Sequence, residues 1–290
     1  MTTGESRYVP GAPSYSHRFH AGNVGDVWKH CVLLEVLRVL GGPSDARSLH
    51  AARGNVTYLE THAGEGRYAL GATGEWSEGI ARLWDLEHQD DAAGRYVAIC
   101  RALGAGTARP ASYPGSPLFA RAALGPAATL TLWERDPDAL ARLRASVGGD
   151  PHVAINAGDG LTALGAAHAP TFALVDPPWT QKADWTAIPD ALARAAHAWA
   201  GTALMLWYPV KSLTRPNAMH ARLEAAGVSA TVAELVTTSL KHQRHRLNGS
   251  GVVLVRAPAA AVAAIAAAAP VIGARCATRV NAWSLRLLAW

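Results

Sequence analysis

The sequence predicts an α/β fold, a mostly parallel sheet flanked by helices. Three observations carry that prediction. Phe172–Val175 is a short, wholly apolar run, the pattern of a central parallel strand buried on both faces. Residues 56–60 read as another strand and run directly into Thr61-His-Ala-Gly-Glu-Gly-Arg67, where the glycines let the backbone approach a ligand closely. Around these runs, strand-like segments alternate with segments of helical apolar spacing, as βαβ units do. The chain has 290 residues, 50% of them hydrophobic, enough for one large domain with a sizeable core.

In order, residues 1–14 are polar with Gly and Pro, carry no apolar signal core, and read as a flexible tail before a domain spanning 15–290. Tyr15 to Asn23 is rich in rings and nitrogen donors. A long helix follows. Asn23 caps it, Asp26 sits in its first turn, and Val24, Val27, Trp28, Cys31, Leu34 and Leu37 recur at helical spacing. Gly41-Gly42-Pro43 ends it. Lys29 and His30 lie inside this helix and, on their own, read as a solvated lysine and a satisfied core histidine. Residues 43–55 read as a loop.

After the strand at 56–60, the next convincing strand is 129–133, ending in Glu134. An insertion over about 68–113 explains the delay. It has helical spacing at Ile80, Leu83, Trp84 and Leu86, then again over 96–103, and reads as a small helical subdomain beside the sheet. Tyr113-Pro-Gly-Ser-Pro117 leads into a helix to Leu124, with Pro117 suited to its first position and Ser116 to its N-cap. Backbone donors there would point toward a ligand crevice. Asp136-Pro137 starts a helix with Leu140, Leu143 and Val147 on one face. Residues 153–156 form a third strand, followed by the turn Gly158-Asp159-Gly160. Beyond the central strand, a helix covers about 184–200, and a fifth strand, 203–208, is ended by Pro209. A helix over 217–226 is closed by Gly227, and 228–236 pairs with 252–255. Residues 257–272 are mostly alanine, broken by Pro258 and Pro270, and read as a solvent-contacting helix too weakly hydrophobic to span a bilayer.

Composition excludes several classes. Cys31, Cys100 and Cys276 are far apart and make no CxxC pair, which argues against a disulfide framework or a cysteine zinc site and fits a reducing cytoplasm. The 12 histidines lack metal-ligand spacing, so no metal is expected. A net charge of +5 suits a polyanionic partner without requiring one.

The chemistry concentrates at Asp176-Pro177-Pro178-Trp179. Each proline lacks an N–H, fixes φ and pushes the residue before it out of the helical region. Asp176 therefore sits at a strand tip with a rigid loop and an aromatic ring beyond it, at the sheet edge where α/β proteins bind ligands. Glu134, ending another strand, suits an acidic residue that binds ribose hydroxyls, and Gly64 belongs to the ligand-approaching turn. Lys241, Arg244 and Arg246 lie in a basic loop between the last two strands and are candidates for contacting RNA phosphates.

The Asp-Pro-Pro-aromatic tetrad resembles the signature of methyltransferases that modify exocyclic amino groups of nucleobases. With other motifs the resemblance narrows to the bacterial RlmJ family, which methylates adenine N6 in 23S ribosomal RNA. Those motifs are Tyr15…His17-x-Phe-His-Ala-Gly-Asn23, Asp26-Val-Trp-Lys-His30, Thr61-His-Ala-Gly-Glu-Gly-Arg-Tyr68, Gly79-Ile-Ala-Arg82, Tyr113-Pro-Gly-Ser-Pro-Leu118, Asp159-Gly160, Asp176-Pro-Pro and Trp207-Tyr-Pro-Val210. The resemblance implies a Rossmann-like class I S-adenosylmethionine-dependent methyltransferase, acting in the cytoplasm as a monomer on 23S rRNA, with adenine 2030 as the family target. It implies cofactor contacts at His30, His62, Ser116, Glu134, Asp159 and Gly160, with Lys29 beside His30, so it reverses the bland reading of Lys29 and His30. The catalytic aspartate carries over to Asp176, with the Pro177 carbonyl beside it, and the substrate-meeting aromatic to Tyr15. Trp179, expected to stack on an extruded base, stands where the family usually has Tyr, and Ser16 where it has a basic residue. The alternatives are a DNA adenine-N6 methyltransferase and a non-catalytic RNA-binding protein of the same fold.

Overall fold

The computed structural model describes residues 17–42, 56–87, 90–104, 108–240, 247–280 and 282–290. In chain order these form α1 (Val24–Leu40), β1 (Thr57–Glu60), β2 (Arg67–Ala69), α2 (Ala92–Gly104), β3 (Ser112–Pro114), α3 (Ser116–Leu124), β4 (Thr129–Glu134), α4 (Pro137–Val147), β5 (Val153–Ala157), β6 (Phe172–Val175), α5 (Asp184–Ala198), β7 (Ala203–Val210), α6 (Thr214–Ala225), β8 (Thr231–Val236), β9 (Gly249–Val255), α7 (Ala259–Cys276) and β10 (Ser284–Ala289). Single 3-10 turns lie at His17–Phe19, Glu75–Glu78, Ile80–Leu83 and Gly160–Ala163.

One sheet has the strand order β10-β8-β9-β7-β6-β1-β4-β5. From β5 to β7 the neighbours are parallel; β9 runs against both β7 and β8, and β10 against β8. From β1 the chain goes outward to β4 and β5 on one side, then crosses to β6 and β7 on the other. The order therefore reverses between β1 and β6, and the crevice beyond their C-terminal ends is the expected ligand site. The central strand behaves as its apolar run predicts: every residue of β6 is buried.

Helix α1 starts where predicted, with the Asn23 side chain accepting from the Asp26 N–H. It is not a surface helix. Every residue from Gly25 to Leu37 is buried, because α2, α3, α7 and β9 all pack around it. Lys29 and His30 are thus core residues at 4% and 2% exposure, and the solvated-lysine reading fails.

Four further expectations change. The helix expected at 257–272 does meet solvent, through Ala260, Ala263 and Ala267, but only on one side. α7 continues through Pro270 to Cys276, and it lays Ala261, Ile265, Ala268, Ala269 and Ile272 into the core along α1. By length and composition it matches a membrane span, but small alanine side chains here serve close helix packing. Pro209 does not end β7. That strand pairs with β6 only from Ala203 to Leu206, so Pro209 lies where one side needs no N–H donor. Strand β10 has no forewarning in the sequence, since it is an edge strand with no residue classed as buried. Ser116 is not an N-cap: Gly115 holds that position and the Ser116 hydroxyl turns elsewhere.

The segment at 68–113 holds α2 and two 3-10 turns, framed by the antiparallel pair β2–β3. Its residues Trp76, Ile80, Leu83, Tyr96 and Val97 share one apolar cluster with α1, so it is built onto the main core. Gly79 makes that docking possible. The Ile80 N–H donates to the Gly22 carbonyl at 2.9 Å, and a Cβ on Gly79 would lie 2.1 Å from that oxygen. Cys31, Cys100 and Cys276 are free and buried.

Candidate active site

Three adjacent strands end in acids: Asp176 directly follows β6, and Glu60 and Glu134 close β1 and β4. Beyond them lies a cavity of about 390 Å³, within the roughly 300–1,000 Å³ usual for small-molecule sites. Its walls bring together Lys29, His30, His62, Gly64, Ser116, Glu134, Asp176 and Pro177, eight residues the sequence marked from five separate segments. Tyr68, Arg18, Arg142 and Trp207 also line it.

The Asp176 half is an ion-pair relay. The Lys29 ammonium donates to Asp176 Oδ2 at 2.7 Å and lies 2.8 Å from Asp26 Oδ1. Asp26 is held in turn by the Gly22 N–H at 2.8 Å. Burial alone would lower the Lys29 pKa, but the Asp176 and Asp26 carboxylates more than counter it and hold the ammonium above its ordinary value. Lys29 Nζ also lies 5.4 Å from the centroid of the Trp207 ring. His30 sits one residue on, sharing a 2.7 Å hydrogen bond with the Tyr113 hydroxyl and stacking on Phe119 at 4.7 Å.

The other half is built from the β1 and β4 tips. Gly64 has φ +62, which only glycine adopts readily, and a Cβ there would strike the Tyr68 hydroxyl at 2.1 Å. Its N–H donates to Glu134 Oε2 at 2.8 Å, and the Asp136 N–H donates to Oε1 at 2.8 Å. Glu134 is therefore fixed by two backbone donors. His62 bonds the Thr61 hydroxyl through Nδ1 at 2.8 Å, and burial lowers its pKa, so the ring favours the neutral form.

Sequence reading missed Glu60. It is fully buried, receives the Ser116 hydroxyl on Oε1 and the Tyr58 hydroxyl on Oε2 at 2.9 Å, and burial pushes its pKa up to about 8. Its position, the last strand residue before a glycine turn, was the available signal.

Asp159 and Gly160 are not among the residues that line the cavity. Asp159 caps a 3-10 turn by accepting the Leu161 N–H at 3.0 Å. Gly160 packs so closely on the glycine turn that a Cβ would lie 2.2 Å from the Thr61 carbonyl oxygen. Trp179 also does not line the cavity. Its indole N–H donates to the Trp207 carbonyl at 2.9 Å, its ring lies 4.3 Å from that of Trp185, and it is 8% exposed. Its φ of +53 is unusual for a bulky residue. Tyr15, Lys241, Arg244, Arg246 and the tail at 1–14 lie outside the described residues.

A switch-point crevice with a glycine turn, an acidic β4 tip and an Asp-Pro-Pro β6 tip defines a class I S-adenosyl-L-methionine-dependent methyltransferase. The cavity's volume, the close backbone approach at Gly64 and the carboxylate of Glu134 fit that cofactor. Comparison with known proteins then narrows the class. The family model described as "Ribosomal RNA large subunit methyltransferase D, RlmJ" matches residues 54–289. Two curated relatives, each called ribosomal RNA large subunit methyltransferase J, are 32% identical in Escherichia coli and 30% in Haemophilus influenzae, each alignment covering 84% of this chain and 87% of the relative. A crystal structure of a Legionella pneumophila protein superposes with a TM-score of 0.82 at 25% identity, over 93% of this chain and 98% of that one. The chain belongs to the RlmJ family.

Proposed function

We propose that this enzyme transfers the methyl group of S-adenosyl-L-methionine to the N6 amino group of an adenine in 23S ribosomal RNA, the family target being adenine 2030. The observation that carries the reading is Asp176. It stands at the switch-point strand tip, ahead of two prolines, facing the cavity and anchored by Lys29.

The cofactor supplies an electrophilic methyl group on a sulfonium. The adenine N6 lone pair is delocalised into its ring, so the nitrogen reacts only when held in line, and good orientation contributes roughly 7–11 kcal/mol. Lys29 takes one oxygen of Asp176, which leaves the other to accept an amino hydrogen. The Pro177 carbonyl, held by the rigid Pro-Pro backbone, is suited to accept the second. Both interactions strengthen as positive charge develops on nitrogen, which makes them transition-state interactions. Glu134 orients the ribose of the cofactor, the glycine turn approaches it, and Ser116 and His62 complete its wall. Trp179 braces the Asp176 loop through the Trp207 carbonyl, and its stacking on the base requires the ring to leave Trp185. Tyr15 and the basic residues Lys241, Arg244 and Arg246 supply the RNA grip.

The test is methyl transfer from labelled S-adenosyl-L-methionine to total RNA, with genomic DNA alongside, followed by nucleoside analysis. N6-methyladenosine in large-subunit RNA alone supports the proposal. Label in DNA alone replaces it with a DNA adenine-N6 methyltransferase. Asp176→Ala should keep cofactor binding and lose methyl transfer; normal turnover in that variant defeats the assigned chemistry.

A further inference from the structure

Among the described residues, two aromatic carbocycles line the cavity, Tyr68 and Trp207. Tyr68 belongs to the cofactor half, since its hydroxyl accepts the Glu65 N–H at 3.1 Å within the glycine turn. Trp207 belongs to the acceptor half. It lines the wall with Lys29, Asp176, Pro177 and Pro178, and its ring centroid lies 5.4 Å from the Lys29 ammonium that binds Asp176.

Its orientation is built in. The indole N–H donates to the Ser250 hydroxyl at 2.7 Å, and that hydroxyl, fully buried, donates to the Gly25 carbonyl at 3.1 Å. Two hydrogen bonds thus tie the ring across β7, β9 and α1. The polar edge of the indole is consumed inside the protein, and what remains for the half-buried ring to offer is apolar π surface. A pinned aromatic surface beside a carboxylate–ammonium pair matches a planar heteroaromatic amine. The carboxylate meets the amino group and the ring meets the π face. The residue the motif suggested for that task, Trp179, has its indole N–H bonded to the Trp207 backbone and its ring packed on Trp185.

We propose that Trp207 is the stacking wall for the acceptor base and holds the purine ring while Asp176 engages its amino group. The inference rests on the adenine-N6 reading above and adds a residue to it. Stacking a base on a protein ring is sequence-tolerant and its loss costs roughly 5- to 150-fold in affinity. Trp207 thereby recovers part of what extruding the base costs.

The experiment compares the full-length wild type with Trp207→Leu, Trp207→Phe and Ser250→Ala. It measures kcat/KM for large-subunit ribosomal RNA, the dissociation constant of S-adenosylhomocysteine by calorimetry, Tm, and the methylated nucleoside. Trp207→Leu should lower kcat/KM for RNA at least tenfold and move S-adenosylhomocysteine affinity less than twofold. Trp207→Phe, which keeps a ring, should recover most of the loss. Ser250→Ala, which frees the ring without removing it, should fall between. Unchanged kcat/KM in Trp207→Leu overturns the inference, as does an equal loss in the Leu and Phe variants. So does a matching loss of S-adenosylhomocysteine affinity, which would mark a scaffold role. If the wild type makes no N6-methyladenosine, the adenine reading itself has failed; if it does and the variants behave like wild type, only the role of Trp207 has failed.

Discussion

Lys29→Met removes the cation that stands between Asp26 and Asp176. The three side chains are 5%, 3% and 11% exposed, and the ammonium lies 2.8 and 2.7 Å from the two carboxylates. At an effective dielectric constant of about 20, a pair at that spacing attracts by about 6 kcal/mol. Two such attractions are opposed by desolvation of several kcal/mol for each ion. Removing one partner of a buried pair strands the others, and the usual cost is about 3–5 kcal/mol. That is a large share of the roughly 5–15 kcal/mol that holds a domain folded. Urea unfolding followed by tryptophan fluorescence measures it. The Lys29→Met/Asp26→Asn double variant, which strands one carboxylate instead of two, should regain about 1 kcal/mol or more. The pH dependence is also set. Lys29 is held above its ordinary 10.5, so its stabilisation is fully present below that value and is lost only as pH rises through the higher folded value. The Lys29→Met penalty should therefore be equal at neutral and mildly alkaline pH. A penalty below about 1 kcal/mol, the range of exposed pairs, would refute the relay as a buried structural unit.

Three further outcomes follow from the strand tips. Burial raises Glu60 from 4.5 to about 8, so the folded protein keeps a proton that the unfolded chain releases. Stability should fall as pH rises through that window, by at most about 1.4 kcal/mol per pH unit, and Glu60→Gln should flatten the slope in pH-dependent unfolding. Glu134→Ala strips the Gly64 and Asp136 N–H groups of their shared acceptor. With about 1.5–3 kcal/mol for each bond to a charged group, cofactor affinity by calorimetry should weaken tenfold or more, and unaltered affinity would remove Glu134 from the site. Gly160→Ala drives a Cβ to 2.2 Å from the Thr61 carbonyl oxygen. It should cost about 1–3 kcal/mol, lower Tm and weaken the cofactor, and a silent substitution would show that the glycine turn is free to shift.

What the sequence made legible followed from local rules. The wholly apolar β6, the Asn23 and Asp136 caps, and the turn after β1 each have a signature within a few residues, and each stands where expected. Apart from the N-cap, which falls on Gly115 and not Ser116, the misses were tertiary. No property of residues 24–40 says that four elements enclose them, so Lys29 on its own read as solvated, and only the family resemblance placed it at the site. The alanine-rich α7 read as a solvent-contacting helix, which its outer side is, and only its packing against α1 shows what the small side chains of its inner side serve. Strand β10 gains its hydrogen bonds from β8 alone and buries no residue fully, so nothing in its sequence needed to be apolar. Glu60 escaped notice because a buried carboxyl and an exposed one are spelled the same.

The last point bears on how one sheet edge can serve two ligands. Glu60, Asp176 and Glu134 close adjacent strands, and three like charges at one edge would repel. The fold gives each a different environment. Glu60 is enclosed, and burial favours its protonated form against the two hydroxyl groups that donate to it. Asp176 is paired with an ammonium. Glu134 is held by backbone N–H groups, which fix its direction without a counter-charge. A carboxyl pushed toward its neutral form thus lies between the other two along the β6-β1-β4 edge. On the proposed reading, the Asp176 carboxylate is then left to meet an amino group and the Glu134 carboxylate to meet hydroxyls. Ionising Glu60 would place a third negative charge between them, so the burial that favours its protonated form spares this edge a like-charge repulsion.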